Sequence, residues 1–223
     1  MNVVILHCHF ERGGVTQVVE NHTHALREQP QVDRIVLVSG PRVGGLSQST
    51  RQAAELIAID DFDYDAQRWE KESRLRRSDQ LFQRLQQRLT SAGLEPANTI
   101  LHWHNHGLGK NTAAPGVIKR LAESGWRLLL QIHDFAEDNR PENYRRLIDA
   151  IGAEDKSAVD QYVYPVASQI HYCTLTRADA AVLVELGIPA NQVHCLPNSV
   201  VAPASVPDST RGQSSLEPIT RVR

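Results

Sequence analysis

The amino-acid sequence predicts an α/β protein, an open parallel sheet with helices on both faces, in a single domain. Three observations carry the prediction. Short apolar runs alternate with longer segments of helical period, the order parallel strands impose because each return needs a crossover. The first run, NVVILHC, is apolar and β-branched without alternation, as a strand covered on both faces must be. A chain of 223 residues with 41% hydrophobic content can build one apolar core without disulfide or metal staples.

The chain opens with a strand over residues 2–8. Gly13 and Gly14 then lead into a helix whose face is Val15, Val18, Val19, His22 and Leu26. RIVLVS at 34–39 is a second strand, and Gly40, Pro41, Gly44 and Gly45 mark a long loop behind it. Residues 56–59 supply a third. A polar helix is predicted over 65–92, because Leu75, Phe82, Leu85 and Leu89 fall seven, three and four apart; Gly93 closes it and Pro96 follows. Strands come next at 99–103 and 126–132 (WRLLLQI), separated by a helix over 115–124. The polar stretch 137–165 reads as two helical pieces, with Tyr144, Leu147, Ile148 and Ile151 on one face. A strand at 169–173, a helix at 177–186 stopped by Gly187, and a short strand at 192–196 complete a domain spanning residues 1–198. Beyond it, Pro203, Pro207 and Pro218 among many Ser and Thr give no period, so 199–223 is expected to be a disordered tail.

A net charge of -2 argues against bulk electrostatic binding of nucleic acid. Cys8, Cys173 and Cys195 are too few and too scattered for a disulfide framework or a structural zinc site, so a reducing, cytoplasmic setting is expected. The N-terminus lacks a basic leader, and no run approaches the roughly 20 apolar residues that cross a bilayer. In the 65–92 helix, Arg68, Lys71, Arg74, Arg76, Arg77, Arg84 and Arg88 outnumber Asp65, Glu70, Glu72 and Asp79. A solvated face explains that surplus, with contact to an anionic membrane surface as the alternative.

Two groups of residues suit chemistry. Glycines ahead of a helix let the backbone approach an anion while free amides and the helix dipole point at it, so Gly13 and Gly14 read as a phosphate loop or as a tight turn needing positive φ. The loop is neither GxGxxG nor a Walker loop. Six histidines, His7, His9, His102, His104, His106 and His133, fall near the carboxyl ends of predicted strands, the edge where open α/β sheets bind ligands. In HWHNH, His102, His104 and His106 would share a face if the strand continued, which is also metal-ligand spacing, but Asn105, Gly107 and Gly109 favour a loop. No carboxylate-rich motif accompanies them, and no metal is assigned. His133 ends the most apolar strand, placed to bond or act on a substrate, and Asp134 either joins it or caps the next segment.

HFERGGVTQVVENHTHAL, ILHWHNHG, LLLQIHDF and IHYCTLTRADAAVLVELGIPANQVHCLPNSV together resemble the N-terminal domain of glycosyltransferases of GT-B fold, the retaining family 4-like group. The likeness runs over nearly all of residues 2–200. It implies a Rossmann-like domain that receives the acceptor and faces a second domain holding a nucleotide-sugar donor. It places Gly13 and Gly14 near the donor phosphates or the acceptor, and His133 near the transferred sugar as the catalytic residue. His9, His104, Asn105, His106 and Asp134 fall on the acceptor side, and Pro197 and Asn198 at the interdomain hinge. Such enzymes act without a metal or other cofactor on carbohydrate or lipid-linked acceptors. The family's donor domain would begin where this sequence ends, so the chain alone is expected to be inactive or to need a protein partner supplying that half. Two other readings stay open: a metal-dependent hydrolase using the pairs His7/His9 and His102/His104, and a noncatalytic binding module.

Overall fold

The computed structural model describes residues 1–66, 71–138, 140–152 and 156–199. Seven strands form one sheet: β1 (Asn2–Leu6), β2 (Arg34–Ser39), β3 (Glu55–Ala58), β4 (Thr99–His104), β5 (Arg127–Ile132), β6 (Ile170–Thr174) and β7 (Val193–Cys195). Their order is β3-β2-β1-β4-β5-β6-β7, and every neighbouring pair is parallel. The chain steps outward from β1 to β3, then returns to the other side of β1 with β4. That reversal opens a crevice beyond the carboxyl ends of β1 and β4, the position where Rossmann-like sheets bind ligands.

Strand register sorts the side chains into two rows. Val38, Leu6, Trp103, Leu130 and Tyr172 lie side by side on one face. Leu81, Leu85 and Leu89 of α3 (Lys71–Ser91) and Val117, Ile118 and Leu121 of α4 (Ala114–Glu123) cover that row. Further along it come α5 (Pro141–Ile151), α6 (Lys156–Val163) and α7 (Arg177–Glu185), through Leu147, Val163 and Leu183. On the opposite face Val3, Ile5, Ile35 and Leu37 pack with Val19 of α1 (Gly14–Arg27). Helices therefore cover both faces, as expected. Leu130 is fully buried mid-row; Leu130→Ala is expected to cost about 2–5 kcal/mol, read as a lower urea midpoint at unchanged slope.

Several expected boundaries move. β1 ends at Leu6, so Cys8 belongs to the following loop. The loop after β2 contains α2 (Gln48–Ala53), a polar helix without an apolar stripe, held by its Ser47 cap. The helix expected from residue 65 is described only from Lys71, and Asp65 lies buried outside it; Arg68 and Glu70 are outside the described residues. Leu75, expected on its apolar face, is exposed. The two helical pieces within 137–165 are α5 and α6. Of the expected tail, Ser199 is exposed and accepts a bond from Asn21 of α1 at 2.9 Å, while 200–223 lie outside the described residues. Among the described residues no helix is long and apolar enough to cross a membrane.

Candidate functional site

A cleft of about 160 Å³ occupies the crevice beyond β1, β4 and β5, bounded by His7 and Cys8, Tyr64, His104 and Asn105, Lys110 and Asp134, with Val15 of α1 on its wall. It is smaller than the roughly 300–1,000 Å³ that encloses a drug-sized ligand.

Asn105 organises the floor. Its φ of 53° is the only left-handed non-glycine backbone among the described residues, a conformation asparagine tolerates better than most. The turn lets its amide donate to the Gln131 carbonyl at 2.8 Å, while its Oδ1 accepts the His133 amide at 2.8 Å and that of Asp134 at 3.4 Å. The end of β5 is thus clamped to the end of β4. His104 Nδ1 lies 2.8 Å from His133 Nε2 with the rings stacked at 5.1 Å, and His7 Nδ1 lies 3.1 Å from the His104 carbonyl. His133 is half-buried, meets His104 through Nε2, and stands next to the lining residues His104 and Asp134 rather than in the lining itself.

The imidazoles are neutral near pH 7. Burial pushes His133 down to about 4 against the opposing pull of Asp134, and His7 down to about 4. Burial, with His102 and His133 adding to it, holds His104 well below the usual range. Burial likewise raises the Cys8 thiol to about 11, which leaves it a poor nucleophile. The group at the mouth of β5 is a neutral hydrogen-bonding ring rather than a cation.

At the rim, Lys110 Nζ sits 4.5 Å from the Tyr64 ring centroid and donates to Tyr64 Oη at 3.3 Å, with no ion pair among the described residues. Asp134 pairs with Arg140 at 3.1 Å and does not cap α5, so the capping alternative falls away. His9 meets the Tyr64 ring edge-on at 4.7 Å. Past the Asn105 turn, His106 leaves the face shared by His102 and His104; it is 3% exposed and bonds the Val163 carbonyl at 2.9 Å.

Gly13 and Gly14 start α1 without the positive φ that a tight turn would need, for Gly13 is extended at φ 173°. A Cβ at Gly13 would touch only the Glu11 carbonyl at 3.9 Å, and one at Gly14 would meet nothing within 4 Å. Internal packing thus gives no reason for either glycine. No side chain caps α1 and no acidic residue occupies its first turn, so its first amides, next to the lining residue Val15, have no side-chain partner. Pro197 and Asn198 are exposed beyond β7.

Sequence reasoning overlooked Tyr64, Lys110, Arg140 and His22. The first three arrive on loops with no periodic signal, and His22 was one position on a helix face. Asp65, buried in the support of the rim, was read as a helix residue.

The fold and this crevice define a Rossmann-like α/β domain, and similar chains are known. The sequence is 28% identical over 207 residues to mannosylglucosyl-3-phosphoglycerate synthase of Petrotoga mobilis, covering 89% of this chain and 37% of the relative. The chain therefore spans little more than a third of that relative's length. Its fold is similar to that of Anabaena Alr3699/HepE, in complex with UDP at TM-score 0.51 and 12% identity, and in complex with UDP-glucose at TM-score 0.52 and 13% identity. Each comparison covers 90% of this chain and 44% of the other. No protein-family model matches.

Proposed function

We propose that residues 1–198 are the acceptor-side domain of a sugar-transferring enzyme of GT-B architecture, acting on a nucleotide-sugar donor. The observation that carries this is the start of α1. Two glycines that no internal contact requires directly precede Val15 on the wall of the crevice, uncapped amides follow them, and His133 stands behind the lining residue His104. A nucleoside diphosphate gains negative charge as it departs, and fixed amides aimed at it lower the barrier. The named activity of the Petrotoga relative and the UDP-glucose held by HepE support sugar transfer. His133 serves as the ring that hydrogen-bonds the transferred sugar, with His104 and Asn105 fixing its orientation. His9, His106 and Asp134 belong to the acceptor side, and Lys110 favours an acceptor carrying negative charge. Pro197 and Asn198 form the passage to a donor-binding half, supplied by further chain or by a partner protein. A cleft this small admits a sugar or phosphate fragment and needs an opposite wall.

The test pairs two variants in protein that includes both halves. Gly14→Val is expected to leave the melting temperature unchanged within about 2 °C, since a Cβ there meets nothing within 4 Å, and to weaken binding of the nucleotide sugar or acceptor at least tenfold. His133→Ala is expected to lower kcat about 10²–10⁴-fold with a smaller change in KM. Full transfer activity in both variants, or no transfer from any nucleotide sugar by the unaltered protein, overturns the proposal.

A further inference from the structure

Behind the cleft, three histidines from two elements meet. His102 and His104 point from β4 toward α1, where His22 stacks on His102 at a ring-centroid distance of 5.3 Å and lies tilted against His104 at 5.5 Å. One ring nitrogen from each of the three lies within 4.8 Å of the others. His104 is fully buried and its Nε2 has no hydrogen-bond partner among the described residues, nor has the buried Nδ1 of His22. Buried nitrogens without partners are uncommon in native folds and ask for an explanation.

The neighbouring bonds supply one. His102 Nε2 lies 2.8 Å from Gln131 Oε1, and His104 Nδ1 lies 2.8 Å from His133 Nε2. Each of these rings is therefore engaged through one nitrogen by an orienting neighbour, leaving the other for the shared space between β4 and α1. Metal-binding histidines are held in this way. His22 is only half-buried, so its side chain can adjust to bring separations of at most 4.8 Å toward the roughly 3.4 Å that zinc–nitrogen bonds of about 2.1 Å set between ligands. An all-imidazole set without carboxylates selects zinc or copper over magnesium or calcium.

We propose that His22, His102 and His104 form a divalent transition-metal site, zinc being the natural occupant, that ties α1 to β4. The ion's role is structural: it would not touch the substrates of the transfer proposed above, on which reading its effect on His133 rests. Coordination through His104 Nε2 places the proton on Nδ1, which then donates to His133 Nε2. That leaves His133 with an N–H on its open nitrogen. The ion thus sets the tautomer of the ring at the cleft.

The experiment titrates the metal-stripped full chain with Zn²⁺ alone by calorimetry, following thermal stability in parallel. One tight equivalent is expected, with a melting temperature that rises as zinc is added. His22→Ala, on a half-exposed helical position that alanine suits, is expected to stay folded and lose about 100-fold or more in affinity. Gln131→Ala is expected to lose about 10–100-fold. His171 and His194 pair at 2.9 Å on the surface and are the competing place for zinc; His194→Ala is expected to leave the tight equivalent intact. Absence of tight binding, or a tight equivalent that survives His22→Ala and disappears in His194→Ala, overturns the proposal.

Discussion

Metal-free chain brought from pH 7 to pH 5 is expected to lose most of its stability, with the loss starting near pH 6.5. Burial lowers His7, His106 and His133 from 6.5 to about 4 and His102 to about 3. The unfolded chain takes up protons on these rings near 6.5, and the folded chain takes them up only near 4 or below. Between those values the unfolded state holds more protons, so stability falls as the pH falls. Each ring contributes a slope of about 1.4 kcal/mol per pH unit. Four rings together remove on the order of 5 kcal/mol per unit, comparable with the roughly 5–15 kcal/mol that holds a typical domain folded. Urea midpoints measured from pH 8 to pH 5 check this. A midpoint that stays flat below pH 6.5 would mean that the rings are not buried as described.

The second large effect concerns Asp65. Its carboxylate side chain is 1% exposed and pairs with Arg77 at 2.6 Å, while Oδ2 accepts the Thr112 amide at 2.8 Å and the Thr112 hydroxyl at 2.7 Å. Beside it, Asn111 Nδ2 donates to the carbonyls of Asp61 and Asp63 at 2.9 and 2.8 Å. These bonds fasten the loop that carries Lys110 to the segment that carries Tyr64. Asp65→Ala leaves a buried amide, a hydroxyl and a guanidinium without that partner, and a loss of about 3–5 kcal/mol is expected. The measurement is again a denaturation midpoint. Asp65→Asn, which keeps the shape and drops the charge, is expected to fall between the two. An alanine variant within about 1 kcal/mol of the parent would contradict the assignment of Asp65 as the anchor of this rim.

What the sequence revealed follows from which forces leave a periodic trace. WRLLLQI and RIVLVS announce strands because burial on two faces demands unbroken apolar residues, and His133, directly after WRLLLQI, falls at a strand end for the same reason. Asn105 was legible as a turn, because only a few residues accept its backbone. Its grip on His133 and Asp134 was not, for a side-chain bond to residues nearly thirty positions away has no local signature. Asp65 was assigned to a helix because neighbouring charges resembled a solvated face; its burial depends on Thr112 and Arg77, which only the folded chain brings near. His22 looked like one more position on an amphipathic helix. Register alone, setting Ile5 opposite His102, turned that helix face toward two imidazoles.

One backbone torsion at Asn105 has a reach beyond its own turn. Two strands that a long excursion through α4 separates end in register because one residue adopts a sparsely populated angle and one oxygen spans both amides. Any exchange for a branched residue would slacken both strand tips together, so chemical competence and local rigidity at this edge would be lost or kept as a single inherited trait.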